Sequence, residues 1–404
     1  MNPKFSTAVL KVLSHMLTLK PAPMIEGERS LFRIANYCKI NDYNKVLVIT
    51  SSILAEMDWA KEFYSSLEKK DIDFVVYDKA DTEPTFSLAR EILSFAGKFS
   101  PDCVVAIGGG SVIDVAKLIC AGLEKPDKPL EKFAGILKVF KMKPLIAVPT
   151  TAGTGSETTF ISVITGDDGV KKTIVSPKII PNLAVLDGNL TKSLPTKLTA
   201  STGIDALSHA VESYISTCDK KSHDHFAPMA TSLIFQYLKK SCDEPENGEY
   251  RLKMLKASYL AGNAMNNEMV GYAHAFAHQL GSFYHISHGE AIAMCLVNAL
   301  KFQLSSAKNK FSKLCKMCGF VRENEDEMVS AQIFIDKVDK LIKSLGLKQK
   351  CSKLERKDYG KIIENAFYET ARRYPMSRFM TTEEAVAFLD QIKGEDDESD
   401  SSES

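Results

Sequence analysis

The run Asp102-Cys-Val-Val-Ala-Ile107 is short, apolar and largely β-branched, and it passes without a spacer into Gly108-Gly-Gly110-Ser111. Such a run predicts a strand buried on both faces. Residues 112–121 that follow carry apolar side chains at helical spacing. A buried strand, a bare glycine turn and a helix in direct succession restrict the chain to folds in which helices cover a parallel sheet. The pattern recurs on either side. Residues 45–50, 73–77 and 145–149 predict further strands, and residues 28–38, 55–69 and 86–99 predict helices. Residues 20–25 are expected to be extended, because Pro21 and Pro23 disfavour helix around them.

From about residue 190 the strands stop. Residues 199–215, 228–240, 250–265, 272–280, 290–304, 309–317, 330–345, 357–364 and 382–392 all predict helices. The expected fold class is therefore an α/β N-terminal domain with a mostly parallel sheet, followed by an all-helical domain. The expected bounds are 1–189 and 190–393. Residues 1–20 form a helical extension, and 394–404 form an acidic, serine-rich tail expected to be disordered. Within the extension, Lys11, Ser14 and His15 interrupt the apolar run at 6–19, so it reads as an amphipathic helix and not as a signal peptide.

Composition removes several classes of function. Lys plus Arg and Asp plus Glu each number 51, and a balanced charge gives no support for a nucleic-acid surface. No stretch approaches the ~20 apolar residues of a membrane span, so none is expected. The nine cysteines are scattered and odd in number, which argues against a disulfide framework and for a reduced, cytoplasmic setting. Cys315-Lys-Met-Cys318 has no second pair and is not expected to bind zinc.

Two loops look built for phosphate. Glycines after residue 107 let backbone approach a ligand closely, and the helix start beyond them offers unpaired N–H groups. The pattern is not GxGxxG, and a tight turn without a ligand is the plain alternative for one loop. A second loop, Thr150-Thr-Ala-Gly-Thr-Gly155-Ser-Glu157, also follows a predicted strand. Two such loops at adjacent strand ends favour a cofactor site.

Residues 271–294 hold four of the eight histidines. His274 and His278 are four apart, on one face of a helix that Gly281 is expected to stop, with His288 beyond it. Upstream, Asp205 and His209 repeat the same four-residue step. Two such pairs on facing helices can close around one divalent cation. His223-Asp-His225 is expected to be a solvated polar stretch, and His285 is either a pocket residue or a surface imidazole.

Residues 108–117 (GGGSVIDVAK), 149–157 (PTTAGTGSE) and 202–212 (TGIDALSHAVE), with His274-Ala-Phe-Ala-His278 and His288-Gly289, resemble the iron-containing (group III) alcohol dehydrogenases, of the dehydroquinate synthase-like superfamily. The resemblance implies that Asp205, His209, His274 and His288 hold Fe²⁺ or Zn²⁺, and that His278 orients substrate or relays a proton. It implies that Gly109, Gly110 and Ser111 hold the pyrophosphate of NAD or NADP, with Asp114, Thr150, Thr151, Thr154 and Lys172 lining the cofactor. The resemblance implies that the α/β domain is dinucleotide-binding and the all-helical domain metal-binding, with the site in a cleft between them. The implied reaction moves hydride between a small-molecule alcohol or aldehyde and the nicotinamide, with the metal as Lewis acid. A homo-oligomer, a dimer, is the expected assembly. Two alternatives accompany this reading: a non-redox dehydroquinate synthase-like enzyme, suggested by 288–293 (HGEAIA), and an inactive scaffold.

Three positions depart from the family pattern. Ser51 stands where many NAD-using members carry an acid beside the ribose, Glu83 stands for an Asn, and Ser287 for a Pro. With neither a carboxylate nor a cation, Ser51 is expected to discriminate weakly, so that both cofactors are used.

Overall fold

The computed structural model describes residues 19–217 and 225–394. The helix predicted at 6–19 (but for Leu19), the tail beyond 394, and His223 with Asp224 lie outside the described residues. Two compact units are present. One comprises Leu19–Leu194 and Glu244–Asn263, and the other comprises Pro195–Asp243 and the chain from Ala264 onward.

The strands of the first unit, in chain order, are β1 (Met24–Glu26), β2 (Lys45–Ile49), β3 (Asp73–Tyr77), β4 (Cys103–Gly108), β5 (Gly135–Ile136), β6 (Leu145–Pro149), β7 (Ile161–Thr165), β8 (Lys171–Val175) and β9 (Leu183–Leu186). Its helices are α1 (Arg33–Ile40), α2 (Ser52–Ala55), α3 (Asp58–Glu68), α4 (Phe86–Gly97) and α5 (Gly110–Glu124). Six strands form a parallel sheet in the order β1-β9-β6-β4-β2-β3. Alternate residues along each strand enter opposite cores. Leu47 and Ile49 pack with Ile92, Ile113 and Ile119, whereas Val46 and Val48 pack with Leu31, Ile34 and Phe63. Burial on both faces is why these strands read as unbroken apolar runs. All six strands run the same way, so the turns after β2, β4 and β6 share one edge of the sheet.

Five strands carried weaker signals. β1 extends the sheet where only extended chain is expected, and β9 was not anticipated. β7 and β8 form an antiparallel hairpin, which β5 joins in a second small sheet. Only alternate residues of β7 are buried, and β5 has two residues, so neither presents a continuous apolar run.

The later helices are α6 (Thr196–Ile215), α7 (Phe226–Asp243), α8 (Gly248–Glu268), α9 (Tyr272–Tyr284), α10 (His288–Met317), α11 (Glu327–Ser344), α12 (Tyr359–Arg373) and α13 (Thr382–Ile392). Three differ from the sequence reading. α9 runs through Gly281, and His285 ends it in the left-handed conformation at φ 54°. An interior glycine costs a helix only about 1 kcal/mol, which packing readily offsets. The helices predicted at 290–304 and 309–317 are one helix broken at Ala307 (φ −124°, ψ 17°). α12 continues nine residues past the predicted end at 364. No helix among the described residues is long and apolar enough to cross a membrane, and the described cysteines are all free.

Gly155 fastens the second glycine-rich loop to α8. Its φ is +62°, and a Cβ there would lie 2.8 Å from the Gly262 Cα and 2.9 Å from the Ser258 carbonyl oxygen. Both obstacles are backbone and cannot rotate away. Gly155→Ala is therefore expected to cost about 2–4 kcal/mol, from left-handed strain plus overpacking. Chemical denaturation of the native and variant proteins measures the difference.

Candidate active site

α6 brings the first two ligand candidates together. Asp205 and His209 are one turn apart, with His209 Nε2 at 3.7 Å from Asp205 Oδ1. The helix is buried along most of its length. Its hydroxyls turn back on their own backbone: Ser208 donates to the Asp205 carbonyl at 2.7 Å and Ser213 to the Ala210 carbonyl at 3.1 Å. Gly203 lets α7 approach, since a Cβ there would lie 2.2 Å from Leu238.

His274 comes from the start of α9, and its Nε2 lies 3.6 Å from the same Asp205 oxygen. His288 opens α10, with Nε2 at 3.3 Å from it. Gly289 makes that last approach possible, because a Cβ would lie 2.6 Å from the Ser201 carbonyl on α6. Thus one carboxylate oxygen and three imidazole nitrogens from three helices converge. Asp205 Oδ1 and His274 Nε2 are buried with no hydrogen-bond partner. Buried polar atoms without partners are costly, and a divalent cation satisfies them. Three imidazoles, a carboxylate and no thiolate suit Fe²⁺ or Zn²⁺.

The charges agree with a cation site. Burial disfavours an ionised Asp205, yet His209, His288 and His274 hold its carboxyl well below the usual carboxylate range. Burial also opposes charge on His274, but Asp205 and Glu212 lift its pKa to about 9. The pocket draws positive charge.

Glu212 was not singled out by sequence reasoning. It lies three residues after His209, fully buried, and its Oε2 meets His274 Nδ1 at 2.7 Å. Its Oε1 accepts the Ala273 N–H at 2.7 Å, capping α9 from another helix. Gly271 leaves room for the carboxylate, since a Cβ would lie 2.7 Å from Oε1. The spacing Asp205, His209, Glu212 was a readable signal, because all three share one helix face. Glu369 on α12 carried no such signal. It accepts from the Tyr374 hydroxyl and holds His278 through Nδ1 at 2.9 Å. The His278 ring stacks on His288 at 5.3 Å, and both side chains are 41% exposed. His285 instead lines a surface pocket with Ser287, Glu290 and Lys348.

The cofactor candidates of the first unit gather at the shared sheet edge. α5 begins at Gly110 without a side-chain cap. Gly109 and Gly110 face the second loop: a Cβ would lie 3.4 Å from Thr151 at the first and 2.7 Å from Thr154 at the second. Thr150 donates its N–H to the Gly108 carbonyl at 3.0 Å. None of the three glycines needs a positive φ; close approach is what they provide. A bare turn, an uncapped helix start and adjacent hydroxyls fit a diphosphate.

Asp114 spends both oxygens on this architecture. Oδ1 accepts from the Ser156 hydroxyl at 2.5 Å and Oδ2 from the Val163 N–H at 2.8 Å. Lys117, unassigned from sequence, is fully buried and donates to Ser156, Thr159 and the Ile161 carbonyl at 3.0, 2.9 and 2.7 Å. Burial pulls its pKa down to about 8 against the attraction of Asp114 and Glu157. Lys172 is on β8 of the small sheet, with its ammonium 2.9 Å from Asp168. Of the other pair of interest, the His225 ring lies against Phe226 with centroids 4.2 Å apart and planes tilted by 43°.

A profile described as iron-containing alcohol dehydrogenase matches residues 21–188, and one for the C-terminal part of that family matches 199–392. The chain belongs to the iron-containing alcohol dehydrogenase family. Alcohol dehydrogenase 4 of Saccharomyces cerevisiae is 32% identical over 370 residues, spanning 90% of this chain and 94% of that protein. The NAD-dependent methanol dehydrogenase of Bacillus methanolicus is 30% identical over 353 residues, spanning 86% and 92%. The solved structure of an alcohol dehydrogenase from Oenococcus oeni superposes with a TM-score of 0.87 at 30% identity, covering 93% of this chain and 99% of that one.

Glu212 accepts from His274 Nδ1–H, so that when the ring gives up its other proton to a metal, Nε2 is the nitrogen left as ligand. Glu212→Gln is expected to lower metal affinity about 10–100-fold while the protein stays folded. Metal titration followed by circular dichroism separates the two effects.

Proposed function

We propose that the protein is a metal-dependent oxidoreductase that moves hydride between a primary alcohol, or the corresponding aldehyde, and NAD or NADP. The observation that carries this reading is the convergence of three imidazole Nε2 atoms on Asp205 Oδ1, within 3.7 Å, in a chain of this family. Asp205, His209, His274 and His288 would hold Fe²⁺ or Zn²⁺. Gly109, Gly110, Ser111, Thr150, Thr151 and Thr154 would cradle the dinucleotide, with Asp114 keeping the two loops in register. When bound, the metal polarises the substrate oxygen and the nicotinamide carries the hydride.

The chain's own residues supply position and proton handling. Glu212 keeps His274 oriented through the 2.7 Å contact at Nδ1. His278, pinned by Glu369 and partly exposed, is placed to exchange a proton with the substrate hydroxyl. This chemistry requires no covalent nucleophile, so none of the nine cysteines need be catalytic.

The purified protein is expected to reduce NAD or NADP with short or medium primary alcohols. A chelator should stop turnover, and added Fe²⁺ or Zn²⁺ should restore it. His209→Ala should lose both metal and turnover while still binding the dinucleotide. Stoichiometric metal with native activity in that variant would overturn the ligand assignment. Binding of metal and cofactor without alcohol oxidation would favour the non-redox alternative.

A further inference from the structure

Ser51 carries no charge, and its hydroxyl caps α2 by accepting the Leu54 N–H at 3.4 Å. The residue beside it changes the electrostatics of this edge. Ser52 donates its backbone N–H at 2.9 Å and its hydroxyl at 3.0 Å to the same oxygen of Asp81, Oδ1. Asp81 belongs to the loop after β3, the strand paired with β2. Two backbone bonds hold that loop against the end of β2: Thr50 N–H to the Tyr77 carbonyl at 2.9 Å, and Ala80 N–H to the Thr50 carbonyl at 3.1 Å. A carboxylate thus stands at the end of β2 although the residue there is serine. On the other side of β2 lies β4, whose glycine turn opens α5. A dinucleotide whose diphosphate rests on such a turn brings its adenosine ribose to the end of the adjacent strand.

We propose that Asp81, held by Ser52, reads the cofactor ribose and makes the protein selective for NAD over NADP. The inference rests on the glycine turn being the dinucleotide cradle. An ionised carboxylate accepts a hydrogen bond from the ribose 2′-hydroxyl and repels a 2′-phosphate. The two Ser52 bonds hold Oδ1 in place before the cofactor arrives, and Asp81 remains exposed to solvent and ligand. On this proposal the protein discriminates more strongly than Ser51 alone would. The acid that the family resemblance leads one to expect after β2 is supplied here from the loop after β3.

The test is direct titration of the metal-loaded protein with NADH and with NADPH, read by cofactor fluorescence, for the native chain and for Asp81→Asn and Asp81→Ala. The native protein is expected to bind NADH at least about tenfold more tightly than NADPH, as charge repulsion at short range demands. Both variants should bring the two Kd values within about threefold of one another, chiefly by tightening NADPH. The ratio of kcat/KM for the two cofactors should move in parallel. Equal native affinities, or a ratio that neither substitution changes, would overturn the role of Asp81 and leave the functional reading standing. Failure of the native protein to bind either dinucleotide would overturn both.

Discussion

Removing a carboxylate from water costs several kcal/mol unless charge or hydrogen bonds replace its hydration. Asp205 is almost wholly buried on a helix that is itself buried on most sides. The helical unit is arranged to meet that demand. α9 supplies His274, α10 supplies His288, and Asp205's own helix supplies His209 one turn away. Each approach needs a missing side chain: Gly203 for α7, Gly289 for the start of α10, and Gly271 for the Glu212 carboxylate. The glycines of this unit are thus part of the electrostatics, because they set the distances over which the charges act.

The sheet unit solves a different problem. Its two loops must stay open toward a ligand yet hold still. Lys117 and Asp114 do this from behind, through Ser156, which bonds to both. An ion pair beneath the loops, with Lys117 fully buried, is sustained by the hydroxyls and carbonyl that complete its coordination. The face turned away from this knot is left to glycine and threonine.

What could be read from sequence followed burial for most strands, although β9, buried at all four positions, was missed. β2, β4 and β6 are buried on both faces, so their apolar runs were unbroken and their ends were legible. β7 and β8 are half-buried and paired by a hairpin, and their alternation was lost among polar residues. The Asp205/His209 pair was legible because one helical turn on α6 brings the two together, whereas His274 and His288, on different helices, were proposed as ligands through the family resemblance. Glu212 shared the α6 spacing and was overlooked. Glu369 and Asp81 reach their partners across 91 and 29 residues of chain, and no local pattern announces contacts that only the fold creates.

The first unit is discontinuous in sequence. Tyr259 donates to the Ala22 carbonyl at 2.6 Å, Lys256 reaches Glu26 at 2.7 Å, and Gly262 lies against Gly155. A ribosome releases Leu19–Leu194 first, then the first part of the helical unit, and only afterwards the helix that finishes the sheet unit. The earlier unit therefore stays incomplete during synthesis until residue 263 has left the exit tunnel. The sheet unit cannot be completed before residues 195–243 of the helical unit have been synthesised. Until then the nascent sheet unit lacks the helix that meets Ala22, Glu26 and Gly155.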